Sequence, residues 1–178
     1  MPKIIQELRE KILAASRTRL LSEGYSALSL RGVAQDCSIA VGTIYNYFKD
    51  KNTLIASVML EDWLDALSTM DRACAQAQTA AEGYVGMYTA IRDFSHIYRE
   101  VWAQFAQAGG SSGEIDSRHL MLRNQLAERI VPLLARTGHG EIGSIAPILA
   151  ETVLAAAVQP DIGLEQITAF IQHLVPEK

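Results

Sequence analysis

The sequence predicts an all-α chain, and three observations predict it. Apolar residues recur at three- and four-residue spacing from end to end, with no stretch of the strict alternation that marks a half-buried strand. Residues that start helices (Ser29, Asp50) and residues that stop them (Gly24, Pro160) fall at the ends of those periodic segments. Hydrophobic residues fill 49% of the 178 positions and charged residues 20%, which is apolar volume enough for a core in one or two domains.

Ile5, Leu8, Ile12 and Ala15, widened by Leu13, Leu20 and Leu21, mark a first helix from about Lys3 to Glu23. Gly24 closes it as a left-handed residue just past the end. Ser29 caps a short second helix, Leu30 to Asp36, with Val33 and Ala34 inward. Cys37 to Ala40 lead into a third short helix, Val41 to Phe48, and Asp50 caps a long fourth one, Lys51 to about Gln78. Leu54, Val58, Leu67 and Met70 are among its apolar positions. The first helix and the two short ones after it set residues 1–50 apart from the helical remainder, 51–178.

Ala81 to Ala108 follows as one long helix or two, and Gly109-Gly110-Ser111-Ser112-Gly113 reads as a flexible break. A helix over Asp116 to Arg136 is expected to kink or end at Pro132. Ser144 is expected to cap the next helix, with Pro147 tolerated in its first turn. Pro160-Asp161 ends that helix, and Gly163 to Val175 is the last. Ile142 to Pro160 is 19 residues long with one charge, Glu151. A carboxylate near a bilayer centre costs about 2.5–3.5 kcal/mol, so the segment reads as a buried helix with no membrane role.

Two cysteines, Cys37 and Cys74, cannot build a disulfide framework or a four-ligand zinc site, and no secretory signal stands at the N-terminus; a reducing cytoplasm fits. The histidines His96, His119, His139 and His173 lack ligand-type spacing, so no metal is expected. There is no P-loop, no Gly-x-Ser-x-Gly elbow and no dinucleotide fingerprint, hence no cofactor and no enzyme. A small helical enzyme would need a convergent polar constellation that the sequence does not show. Charge is divided unevenly. Residues 1–55 hold eight Lys/Arg and five Asp/Glu, a net +3, and the rest of the chain carries −7. Such asymmetry suits a polyanion-binding module joined to an acidic body.

Two short helices joined by a tight turn and buttressed by a third is the layout that seats a recognition helix in the DNA major groove. Gly42-Thr43-Ile44-Tyr45-Asn46-Tyr47-Phe48-Lys49-Asp50-Lys51 gathers hydroxyls and lysines suited to phosphates, while Ile44 and Phe48 share an inward face one turn apart. Together with Ile12-Leu13-Ala14-Ala15, Leu20-Leu21-Ser22-Glu23-Gly24-Tyr25 and Val33-Ala34, this string resembles the DNA-binding domain of the tetracycline-repressor-like (TetR/AcrR) family over about residues 8–55.

The resemblance implies phosphate contacts from Thr43, Tyr45, Tyr47 and Lys51. It places Arg31 where some members reach a base, and arginine forks onto guanine O6 and N7. Asn46 could read a base edge or meet a phosphate. Two positions depart from the pattern: the family usually has Gly where Ser38 stands, and a hydroxyl residue where Ala40 stands. The first implies strain of about 1 kcal/mol and the second a missing cap of about 1 kcal/mol. Tyr45 and Tyr47 could instead pack the third helix on the first, and Arg31 could be a solvated surface residue.

In the body, Tyr84, Tyr88, Phe94, Tyr98, Trp102 and Phe105, with Met59, Trp63, Met87 and Met121 as neighbours, are either ordinary core or the wall of an effector pocket for an apolar or aromatic ligand. The last two helices are broadly apolar, and in the resembled family such helices pair across a two-fold axis. A homodimer would hold two recognition helices about 34 Å apart, one DNA turn, over a palindromic operator. The implied function is transcription regulation, as a repressor released by a small-molecule effector.

Overall fold

The structure, a computed structural model, describes residues 5–107 and 112–176, apart from the side chains of 102, 105–107 and 112–118. Among the described residues there are eight α-helices and no strand. They are α1 (Gln6–Ala27), α2 (Leu30–Asp36), α3 (Val41–Tyr45), α4 (Lys51–Gln76), α5 (Ala80–Gln107), α6 (Ser112–Arg136), α7 (Ala146–Val158) and α8 (Leu164–Leu174), with a 3₁₀ turn over Gly140–Ile145. They fall into two compact units. The first runs to Leu64 and resumes at Ile97; the second holds Asp65–His96 and the chain from residue 110 onward. The expected boundary after residue 50 falls at the start of α4, whereas the units part inside it.

The first unit closes on Ile12, Leu13, Leu20, Leu28, Val33, Ala34, Ile44, Phe48, Leu54, Ile55 and Val58, all nearly inaccessible. Each large side chain so buried contributes about 1.5–3 kcal/mol. Two members of the expected inward stripe point out instead: Ile5 is 53% exposed and Leu21 42%. Ile5 lies ahead of the first helical turn, and Leu21 sits about 100° around the helix from buried Leu20. At Gly24 the backbone turns through φ +81°, in the left-handed region that favours glycine, and the Leu28 N–H returns to the Gly24 carbonyl at 3.3 Å.

Local chemistry sets several boundaries as expected. Ser29 Oγ accepts from the Gly32 N–H at 3.1 Å, and Asp50 Oδ1 accepts from the Thr53 N–H at 2.7 Å. Two expectations fail and a third is narrowed. The third helix stops at Tyr45, because the N–H groups of Tyr47 and Phe48 share the Ile44 carbonyl, both at 2.9 Å. Ser144 does not cap α7; it lies within the 3₁₀ turn, and Pro147 occupies the first turn as expected. Of the kink or end expected at Pro132, the end does not occur: α6 runs through it, since one lost hydrogen bond is outweighed by burial of Leu126, Ile130, Leu133 and Leu134. Of the expected break, 109–111 lie outside the described residues, while Ser112 and Gly113 already belong to α6.

The second unit packs α7 and the 3₁₀ turn on α6. Gly140–Val158 is long and apolar enough to cross a membrane by length and composition. Its Ala146, Leu149, Ala150, Val153, Leu154, Ala156 and Ala157 are buried inside the unit. The Tyr84 hydroxyl donates to the Leu149 carbonyl at 2.8 Å, pinning α5 to α7.

Two buried phenols are expected to set an alkaline limit on the fold. Desolvation holds the Tyr84 hydroxyl well above its usual pKa, and in the first unit burial and then the Asp62 carboxylate do the same to Tyr98. An unfolded tyrosine ionises near pH 10, so the stabilisation is complete below about pH 10 and declines as pH rises further, by about 1.4 kcal/mol per pH unit for each tyrosine. Melting followed by circular dichroism should fall steeply above about pH 10. The Tyr84→Phe/Tyr98→Phe double variant should show a visibly flatter decline; an equal decline would assign the alkaline limit to other groups.

Candidate nucleic-acid interface

The helix-turn-helix is assembled by side chains of α1 that grip α2. The Arg19 guanidinium forks onto Asp36, Nε to Oδ2 at 2.5 Å and Nη2 to Oδ1 at 3.0 Å, and reaches Glu23 at 3.2 Å. Arg19 in turn holds the Asp36 carboxyl below its usual range. Lys11 Nζ donates to the Cys37 carbonyl at 2.9 Å, satisfying an acceptor that the end of α2 leaves free. The next residue, Ser38, has φ +57°, so the turn is made with a left-handed serine. Ala40 then precedes α3 without a side-chain cap.

A left-handed non-glycine residue costs about 1–2 kcal/mol. Ser38→Gly is therefore expected to raise stability by about 1 kcal/mol, a rise of about 2–4 °C in melting temperature for a chain of this size. An unchanged or lowered melting temperature would mean that the serine hydroxyl compensates the strain.

Buried Ile44 anchors α3, so its other faces turn outward. Tyr45 is 56% exposed and Val41 37% exposed. Asn46 is exposed too, and Thr43 half-buried. Gly42 is also on the outside, and a Cβ built there would meet nothing within 4 Å. Packing within the chain therefore does not demand glycine there.

Positive charge is sorted by tertiary structure. Arg9 pairs with Glu61 at 2.9 Å, and Arg17 Nε lies 2.7 Å from Asp62 Oδ2. That carboxylate also accepts from the Tyr98 hydroxyl at 2.6 Å. With Arg19 on Asp36, three of the cations in the basic segment are neutralised inside the first unit. Arg31 and Lys49 are exposed. Lys49 is not among the contact residues expected from the sequence, and it lies exposed just ahead of α4.

A helix-turn-helix with these turns and exposures has known relatives. Residues 12–58 match the family of bacterial regulatory proteins described as tetR. Over that segment the chain is similar to the tetR family. It is 31% identical over 101 residues to the HTH-type transcriptional regulator UidR of Escherichia coli strain K12, covering 57% of this chain and 48% of UidR. It is 36% identical over 58 residues to the HTH-type transcriptional repressor KstR of Rhodococcus jostii strain RHA1, covering 33% of this chain and 27% of KstR. The chain thus spans about half the length of the curated relatives it matches, or less. The crystal structure of RolR in complex with resorcinol has the same fold, with a TM-score of 0.64 and 19% identity over 97% of this chain and 89% of that one.

Of the residues that the tetR-family pattern implies for DNA, the structure leaves Arg31, Tyr45 and Asn46 exposed and Thr43 partly so. Tyr47 and Lys51 already have partners. The Tyr47 hydroxyl accepts from the Ile5 N–H at 3.0 Å and lies 3.4 Å from the Ile5 carbonyl, tying the start of α1 to the end of α3. Lys51 Nζ donates to the Ser26 carbonyl at 3.4 Å and sits over the Tyr25 ring.

The aromatic series divides between the units. Trp63 and Tyr98 are buried in the first unit, and Met59 is half-buried there. Tyr84, Met87 and Tyr88 are buried in the second, with Phe94 half-buried and Phe170 near Tyr84, ring centroids 6.3 Å apart. Tyr88 donates to the Ile162 carbonyl at 2.5 Å, so both second-unit tyrosines hold backbone carbonyls. Met121 is 45% exposed, apart from the buried set, while the Trp102 and Phe105 side chains lie outside the described residues. A groove of about 550 Å³ in the second unit is walled by others, including Arg123, Pro147, Ile148, Glu151 and Ile162. Among the described residues no three His, Cys, Asp or Glu side chains gather as a metal-binding group.

Proposed function

We propose that this chain is a DNA-binding transcription regulator, a repressor released from a palindromic operator by a small apolar or aromatic effector. The observation that carries the reading is α3: buried on Ile44, it presents Val41, Gly42, Tyr45 and Asn46 outward on a strained but well-tied turn. Thr43, Tyr45 and Asn46, with Arg31 at the start of α2, Lys49 before α4 and Lys51 at its first position, supply the phosphate and base contacts. Homodimerisation through α7 and α8 is supported by their exposed apolar residues, Ile148 at 65%, Val158 at 53%, Leu164 at 47% and Leu174 at 41%. An aromatic effector is supported by the resorcinol bound to RolR, whose fold this chain shares. Effector binding would favour a different head spacing, and α4, which contributes to both units, is the lever. The site of action is the cytoplasm, where operator DNA lies.

Selection of duplexes from random DNA by the purified chain tests this, followed by gel shift over a range of salt. A palindromic duplex retained with a steep salt dependence is expected. Selection that yields no enriched duplex at any salt would sink the reading. Sedimentation of the same preparation should show a dimer, and a monomer at micromolar concentration would count against the palindrome.

A further inference from the structure

Lys51 stands at the first position of α4, where the positive end of the helix dipole disfavours a cation. Lysine also loses more side-chain freedom on being fixed than almost any other residue. The structure fixes it nonetheless. The turn at Gly24 carries Tyr25 and Ser26 to the start of α4, where the Tyr25 ring centroid lies 4.4 Å from Nζ and the Ser26 carbonyl accepts from Nζ at 3.4 Å. The ring is fixed in turn by its hydroxyl, which donates to Asn52 Oδ1 at 2.8 Å. Burial holds the ammonium below its usual pKa, and no carboxylate offsets that effect. An ammonium has three N–H donors. One meets the carbonyl, the ring face takes the charge of a second, and one is left.

We propose that Tyr25 is a positioning residue for DNA binding, whose ring holds the Lys51 ammonium ready to give its remaining N–H to a phosphate oxygen. The inference rests on the DNA-binding reading above. A cation–π contact neutralises no charge, so the lysine keeps its full attraction for an anion while its rotamers are already chosen. An ion pair, such as those that occupy Arg9, Arg17 and Arg19, would have cancelled that attraction. Association then does not have to order a flexible side chain, a cost that otherwise weakens binding.

The test is a double-mutant cycle on a duplex recovered from random DNA by the wild-type chain. Lys51→Gln should weaken binding about three- to tenfold at 0.1 M salt and make the slope of log K against log salt shallower by about 0.9, one phosphate contact. Tyr25→Leu should reproduce most of both effects, Tyr25→Phe should leave the slope unchanged, and Tyr25→Leu added to Lys51→Gln should change nothing further. A merely structural tyrosine would lower the melting temperature equally in both backgrounds and leave the salt slope alone; that result overturns the inference. So does an unchanged slope in Lys51→Gln, a surface variant that needs no refolding of the core. A wild-type chain that selects no duplex overturns this inference together with the DNA-binding reading.

Discussion

A Phe48→Ala chain is expected to lose about 3–5 kcal/mol of folding stability and, with it, its hold on DNA. Phe48 is 2% exposed, and it follows α3 at the point where the chain turns towards α4. Its N–H bonds to the Ile44 carbonyl at 2.9 Å, its ring lies under the Arg9 guanidinium at 5.8 Å, and Asp50 caps α4 two residues later. Removing the ring takes away the buried area and leaves a void that stiff neighbours fill only in part. Total stabilities of about 5–15 kcal/mol make such a loss decisive. Urea melts followed by circular dichroism measure it. Ile44→Val, which removes one methylene from an equally buried site, should cost only about 0.5–1.5 kcal/mol. A Phe48→Ala loss below about 1 kcal/mol would remove Phe48 from the set of residues that hold α3 in place.

The parts of this fold that can be read in the sequence are those fixed by a few neighbouring residues. Ser29 and Asp50 cap helices because a short oxygen-bearing side chain reaches an N–H three residues on. Gly24 takes a positive φ, as its residue type allows, and Ser38 takes one where the resemblance implies a glycine. What cannot be read depends on residues far apart in the chain. Net charge treats the cations of the first 55 residues alike, yet Arg9 finds Glu61 52 residues away and Arg17 finds Asp62 45 residues away. Lys51 is met from behind by Tyr25, 26 positions earlier, although spacing alone presents it as a free phosphate donor. Periodicity overextends the third helix for a related reason: Ile44 and Phe48 are both buried, as the spacing requires, but a shared carbonyl and not a continued helix brings Phe48 inward. For the aromatic series, periodicity places the rings on helices and does not tell a pocket wall from a tyrosine whose hydroxyl pins a backbone carbonyl, as those of Tyr84 and Tyr88 do.

Tyr45→Ala should do the reverse of Phe48→Ala, sparing the fold and striking the function. At 56% exposure the side chain contributes little to packing, so its truncation should change stability by no more than about 0.5 kcal/mol. A hydroxyl donating to a phosphate makes a charge-assisted bond worth about 1.5–3 kcal/mol, which is about a ten- to hundredfold loss of affinity when it is removed. The loss should be equal on the selected operator and on an unrelated duplex, because phosphates carry no sequence. Arg31→Ala, by contrast, should lower affinity for the operator more than for other DNA. The tyrosine is neutral, so the salt slope should stay as in the wild-type chain, which separates its role from that of Lys51. Tyr45→Phe tells the hydroxyl from the ring: a loss as large as with alanine assigns the effect to the hydrogen bond, and a wild-type affinity assigns it to apolar contact with the sugar or a thymine methyl. Wild-type affinity in Tyr45→Ala itself would move the DNA-facing side of α3 away from Tyr45, towards Thr43 and Asn46.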